Sequence, residues 1–260
     1  MTAAANTAIP RTALVTGAAH RIGRAIALDL AAQGFDIAIH YSTSRNAAEV
    51  LAADIESGGQ RAVLLDADLR VEDHTAALIG RAAEALGPVG CLVNNASRFD
   101  LDLWDTATRE SWDIHMETNL RAPFLLSQEM ARGLPDSAEG VIINLIDQRV
   151  WNLTPHFLSY TVSKSALWTL TRTLAMALAP RIRVNAIGPG PTLPSERQSR
   201  AQFEAQCAAV PLGRGPTPEE VADGVRFLLA ARSMTGQMIA LDGGQHLGWA
   251  QGGQSSAPEE

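Results

Sequence analysis

Short, nearly continuous apolar runs recur along the chain: "TALVTG", "FDIAIHY", "AVLLDAD", "CLVNNA", "VIINLID", "IRVNAIGPG" and "MIALDGG". Runs of this length suit strands, and their near-continuous apolarity suits a sheet covered on both faces. Helical spacing fills the gaps between them. In 163–179, Leu167, Leu170, Leu174 and Leu178 recur at three- and four-residue steps until Pro180 stops the pattern. "PEEVADGVRFLLA" opens with Pro218 and two acids, which suit the positive end of a helix. The alternation predicts an α/β fold, a doubly wound parallel sheet with helices on both faces and right-handed crossovers.

The stretch 189–207, "PGPTLPSERQSRAQFEAQC", reads as a loop followed by a small helical segment, stiffened by Pro189, Pro191 and Pro194. Loops of this length serve as lids or binding loops, or are plain surface excursions. No internal repeat or dividing linker is evident, and 260 residues suffice for one large core. The expected organisation is a frayed N-terminus (1–10), one domain (11–249) and a flexible C-terminal tail (250–260).

A hydrophobic content of 46% with 19% charged residues is globular, not disordered. Lys+Arg 21 against Asp+Glu 28 gives a net charge of −7, which argues against nucleic acid or an anionic membrane as partner. A local basic pocket for an anionic cofactor remains compatible with that balance. The start shows no basic segment followed by an apolar run, and no stretch approaches the ~18 apolar residues of a membrane span. A cytoplasmic protein is expected. Cys91 and Cys207 have no redox or ligand spacing and read as packing residues. The six histidines are scattered without paired helical spacing, so no protein metal site is expected. Neither a GxSxG elbow nor a GK[ST] loop occurs.

"ALVTGAAHRIGRAIALDLA" reads as a strand, a glycine turn and an amphipathic helix. Gly17 permits a tight turn and Gly23 a close approach of helix to sheet. Backbone N–H groups at the helix start, around Ile22, would meet a pyrophosphate. Arg21 is either a solvated arginine or a cation aimed at a phosphate. The second strand ends in His40, Tyr41, Ser42, Thr43, Ser44 and Arg45, with no acid to hold a ribose diol. Hydroxyls and an arginine there favour NADP(H) over NAD(H), although Arg45 is equally a solvated helix-start residue.

Tyr160 and Lys164 lie four apart in "YTVSK", on one helix face. With "TGAAHRIG", "DADL", "NNAS", Asn119 and "NAIGPGPT" in this order, the chain resembles the short-chain dehydrogenase/reductase family over roughly 12–247. The resemblance implies a single Rossmann-type domain and a cofactor site built from Gly17, Arg21, Ile22, Gly23, His40, Tyr41, Ser42, Asp68, Leu69, Asn95, Ala96, Ser97, Tyr160, Lys164, Pro189, Gly190 and Thr192. It implies Tyr160 as proton donor, Lys164 as ribose anchor that lowers the tyrosine pKa, and Asn119 in a proton relay. It also implies a homotetramer formed through helices at 111–132 and 163–179.

"NNASRF", Arg21, His40-Tyr41, "IINLID" ending in Asp147, and "LDGGQHL" further resemble the pteridine reductase branch, including bacterial dihydromonapterin reductases. In that group an aspartate replaces the usual catalytic serine. Phe99 is then implied to stack on the substrate ring, with polar contacts from Arg21 and Ser97. The sequence departs from some relatives at Ser42 and Thr43, where an arginine can occur, and in much of the loop after Gly190.

Asp147, thirteen residues before Tyr160, discriminates between substrates. An ionised aspartate would oppose an oxyanion by ~4 kcal/mol at 4 Å and an effective dielectric of 20, about three powers of ten in rate. Reduction of C=N reverses the sign, because the nitrogen accepts hydride best when protonated and a carboxylate stabilises that cation. The expected activity is therefore NADPH-dependent reduction of a pterin-type C=N bond, with Asp147, Tyr160, Lys164 and Asn119 catalytic and Arg21, Ser97, Phe99, Asp147 and Tyr160 at the substrate. The alternatives are a carbonyl-reducing member of the family and a non-catalytic NADPH-binding regulator. Plainer roles also stand for single residues: a drifted serine position at Asp147, loop packing for Phe99, a helix-breaking polar residue for Asn119, and a structural pair for Tyr160 and Lys164. Trp151 and His156 either line the pocket or pack in the core.

Overall fold

The computed structural model describes residues 8–195 and 197–248. Positions 1–7 of the expected frayed end and the whole of the expected tail lie outside the described residues. Ile9 packs against the core, and Gly90 lies so close to Pro10 that a Cβ there would meet its carbonyl oxygen at 2.1 Å.

Each of the quoted apolar runs becomes a strand: β1 (Thr12–Val15), β2 (Asp36–Tyr41), β3 (Ala62–Asp66), β4 (Val89–Asn94), β5 (Gly140–Leu145), β6 (Ile182–Pro189) and β7 (Met238–Leu241). They pair in parallel in the order β3-β2-β1-β4-β5-β6-β7. This is a doubly wound Rossmann-type sheet. Alternation along β1 divides the core: Ala13 and Val15 face one layer and Leu14 the other. The first layer packs under α1 (Arg21–Ala32), α2 (Arg45–Ser57) and α8 (Pro218–Ala230), through residues such as Ile26, Leu51 and Val225. The second packs under α3 (Glu72–Leu86), α5 (Ala122–Gly133) and α6 (Leu158–Ala177), through Leu78, Leu126 and Leu174.

The acid-rich start of α8 is a reciprocal cap, with the Glu220 N–H donating to Thr217 Oγ1 and the Thr217 N–H to the Glu220 carboxylate. α6 begins at Leu158, five residues before the expected segment 163–179. Its first turns bury Ser159, Tyr160, Ser163 and Lys164 instead of leucines, so apolar spacing does not reveal them. The segment around 111–132 is α4 (Arg109–Met116) and α5 joined by a π-helical turn, Glu117–Arg121, that contains Asn119. The expected small helix after the proline loop is α7 (Arg200–Ala208).

Candidate active site

The sheet winds in opposite directions from β1 and β4, so a crevice opens at the C-terminal ends of these neighbours. Gly17 follows β1 in the left-handed region, φ 61°. Asn95 follows β4, and its side-chain amide donates to the carbonyls of Thr16 (2.8 Å) and Gly17 (3.1 Å). A Cβ on Gly23 would lie 2.3 Å from the Gly17 carbonyl oxygen, so glycine alone lets α1 start against this loop. Arg21 also holds a left-handed conformation, φ 54°, where a glycine would be unstrained. Its guanidinium donates to the carbonyls of Leu193 (3.0 Å) and Pro194 (2.8 Å), tying the glycine loop to the proline loop.

His40 lies beneath the glycine loop. The Gly17 N–H donates to its Nδ1 at 3.0 Å, and its Nε2 sits 3.2 Å from the Ala67 carbonyl, which assigns the proton to Nε2. Burial pushes its pKa down to about 4. His40 thus supports the glycine loop from beneath. The Tyr41 and Leu69 side chains are likewise buried in the two core layers. Ser42 is exposed past the end of β2. Arg45, read either as a phosphate contact or as a solvated helix start, pairs with Glu49 one turn along α2. Asp68 pairs with Arg70, which holds its carboxyl down at about 2.

A cavity of about 280 Å³ lies over the crevice. Of the expected site residues, Arg21, Ile22, Asn95, Ser97, Phe99, Asp147, Tyr160, Lys164, Pro189, Gly190 and Thr192 line it. Gly17, Gly23, His40, Tyr41, Ser42, Asp68, Leu69, Ala96 and Asn119 do not. Gln148, Arg149, Leu193, Ser195, Gln198, Gln206 and Gln245 are additional lining residues that the sequence did not signal. Trp151 and His156 are not among the lining. Trp151 packs edge-on against Trp168 and His246.

At the cavity floor Tyr160 Oη donates to Asp147 Oδ2 across 2.8 Å. Asp147 Oδ1 accepts from the Arg149 N–H at 2.8 Å, which fixes the carboxylate at the start of a 3-10 turn, Gln148–Val150. Lys164 is 2% exposed, and its Nζ donates to the Leu145 carbonyl at 2.8 Å. Burial pushes its pKa down to about 8, with the charge of Asp147 opposing the shift. Asn119 is fully buried. Its Oδ1 accepts from the Arg98 N–H (2.8 Å) and Ser97 Oγ (3.2 Å), while Nδ2 donates to the Arg98 carbonyl and Ser163 Oγ, both at 3.0 Å. The π-helical turn that carries it accommodates this side chain between α6 and the loop after β4.

Phe99 lies over Phe157, ring centres 4.4 Å apart and planes 11° apart, with the Tyr160 ring edge-on at 4.6 Å. The loop-packing reading of Phe99 therefore holds for one partner, while the residue also lines the cavity. Phe157 itself is left-handed, φ 56°, and has the Arg149 guanidinium 5.1 Å above its ring. It was not anticipated. Its place just before the "YxxxK" helix was the available signal.

Residues 17–246 match the family profile described as enoyl-(acyl carrier protein) reductase. A short-chain type dehydrogenase/reductase of Picea abies is 34% identical over 90% of this chain and 92% of its own length. A 3-oxoacyl-[acyl-carrier-protein] reductase of Synechocystis is 32% identical over 90% and 96%. Among solved structures, FolM alternative dihydrofolate reductase 1 from Brucella suis, in complex with NADP, superposes with a TM-score of 0.89 at 49% identity, covering 96% of this chain and 99% of that one. The chain belongs to the short-chain dehydrogenase/reductase family.

Proposed function

We propose that the protein is an NADP(H)-dependent reductase that reduces a pterin-type C=N bond. The observation that carries the substrate class is the Tyr160–Asp147 hydrogen bond, which puts a carboxylate beside the proton donor. Support also comes from the 49% identity to a dihydrofolate reductase of the same fold.

The crevice fits a dinucleotide. No side chain caps α1 and no acid stands in its first turn, so its N-terminal donors suit a pyrophosphate. Gly190 approaches Asp242 so closely that a Cβ would meet its Cα at 2.7 Å, so glycine lets this cavity-lining segment pack against the end of β7. Gly17, Ile22, Asn95, Lys164, Gly190 and Thr192 would hold the cofactor, which supplies the hydride when bound. Lys164 anchors the ribose and its charge favours the ionised phenol. Tyr160 donates the proton, shared with Asp147, to the ring nitrogen, and the carboxylate stabilises the protonated form. Asn119 orders the Ser97–Arg98 loop and Ser163, and a relay role belongs to the same proposal. Phe99 offers a flat face to the substrate ring. A homotetramer and a cytoplasmic setting complete this reading by family analogy; among the described residues no helix is long and apolar enough to cross a membrane.

The Synechocystis relative supports a second reading, reduction of a carbonyl in an acyl substrate. NADPH consumption with dihydrobiopterin, dihydrofolate and simple ketones separates the two. Ketone turnover without pterin turnover overturns the first.

A further inference from the structure

Behind the cavity wall lies a second polar cluster, formed by Asp102, His115 and Ser159, which are 2%, 0% and 0% exposed. The Asp100 N–H donates to His115 Nε2 at 3.1 Å, which assigns the ring proton to Nδ1. Nδ1 donates to Ser159 Oγ at 2.6 Å, and the Ser159 hydroxyl donates onward to Asp102 Oδ2. The Ser159 N–H reaches Asp102 Oδ1 at 3.0 Å, and Ser111 Oγ reaches Oδ2 at 3.0 Å. The order is imidazole, hydroxyl, carboxylate, with the serine in the middle and sealed from solvent. It is therefore no nucleophilic triad, in which histidine must stand between acid and serine.

The cluster joins three segments. Asp100 and Asp102 belong to the loop just after Phe99. His115 and Ser111 lie on α4. Ser159 precedes Tyr160 on α6 and shares that helix's first turn with Leu158, whose N–H bonds the Asp102 carbonyl at 3.1 Å. The His115 ring also meets the Tyr160 ring edge-on at 6.0 Å. Stacked aromatic rings can slide over one another at small energetic cost, whereas a satisfied buried hydrogen-bond chain fixes distance and direction.

We propose that the Asp102–Ser159–His115 chain is a positioning device that sets the height and tilt of Phe99 relative to Tyr160, and so the fit of a flat substrate ring. None of the three residues lines the cavity or touches the crevice at Gly17, so the device acts on the substrate side and leaves the cofactor side alone. The inference rests on the proposed pterin reading only for the identity of that ring.

The test uses the full chain with NADP bound, and titrates dihydrobiopterin by calorimetry beside a separate NADPH fluorescence titration. Ser159→Ala is expected to weaken dihydrobiopterin binding by about tenfold, the scale of a sub-ångström misplacement, and to leave NADPH affinity unchanged. His115→Gln keeps one donor and one acceptor and is expected to recover most of the affinity that His115→Leu loses. A buried imidazole N–H resonance in the proton spectrum should vanish in Ser159→Ala and in both His115 variants. If Ser159→Ala does not fold, Asp102→Asn is measured in its place with the same expectation. Unchanged ring binding, or an equal loss of NADPH affinity, overturns the proposal. Wild-type protein that neither binds nor reduces dihydrobiopterin overturns the functional reading instead; the device is then judged by the KM of the ketone that is turned over, and an unmoved KM overturns it.

Discussion

The phenol of Tyr160 and the carboxylate of Asp147 are hydrogen-bonded, Oη to Oδ2, at 2.8 Å, joining the end of β5 to the first turn of α6. The carboxylate is held from its other oxygen by the Arg149 N–H, so it is a fixed part of the floor. Asp147→Asn keeps the shape and removes the charge. Dihydropterin reduction is expected to fall by about 10²-fold or more, while Asp147→Ser is expected to gain carbonyl reduction. Steady-state kcat/KM with one pterin and one ketone checks both; undiminished pterin turnover in Asp147→Ser removes the basis for the substrate class.

Lys164 is an ammonium buried in the fold, with its pKa lowered from 10.5 to about 8. The folded protein therefore releases this proton before the unfolded chain does. Its burial weakens the fold below pH 8, and that penalty fades as pH rises from about 8 to 10.5. Lys164→Met without cofactor is expected to be more stable than wild type at pH 7, with the gap closing toward pH 10, and to bind NADPH more weakly. Urea midpoints at the two pH values decide it. A gap that widens with pH contradicts the assignment.

The neutral, buried His40 gives the opposite end of the pH scale its own signature. Its pKa falls from 6.5 to about 4, so the unfolded chain takes up the proton first as pH drops. Stability from this group is present above 6.5 and is lost as pH falls toward 4, at ~1.4 kcal/mol per pH unit inside the window. His40→Gln should show a flatter acid limb in denaturation curves. Because Nδ1 accepts the Gly17 N–H, the same variant should bind NADPH less tightly even at pH 8.

Two effects oppose each other at Arg21, a left-handed backbone and a double hydrogen bond to the proline loop. Arg21→Ala keeps the strain and loses the tie, whereas Arg21→Gly loses both. The glycine variant is expected to be about 1 kcal/mol more stable than the alanine variant. Both should expose the 189–199 loop to protease faster than wild type does. Thermal melts and limited proteolysis separate strain from tethering.

The strands, their parallel pairing and the glycine turn were legible along the chain, because near-continuous apolar runs between helical segments leave few folds open. The residues of "YTVSK" and Asp147 were legible for another reason: the motifs stand together in the order that a known family shows, and Asp147 lies two residues past the end of a strand. The first turns of α6 escaped the apolar pattern because they bury polar groups, Tyr160 and Lys164 at the cavity and Ser159 and Ser163 behind it.

Contacts between segments remote in the chain were settled only by folding. Nothing local marks His40 as the acceptor beneath Gly17, or Phe157 as the ring that stacks on Phe99. Periodicity reports which face of an element is buried, and motifs report which chemistry is present. Which buried groups meet depends on crossovers that bring distant segments together, and that geometry exists only in three dimensions.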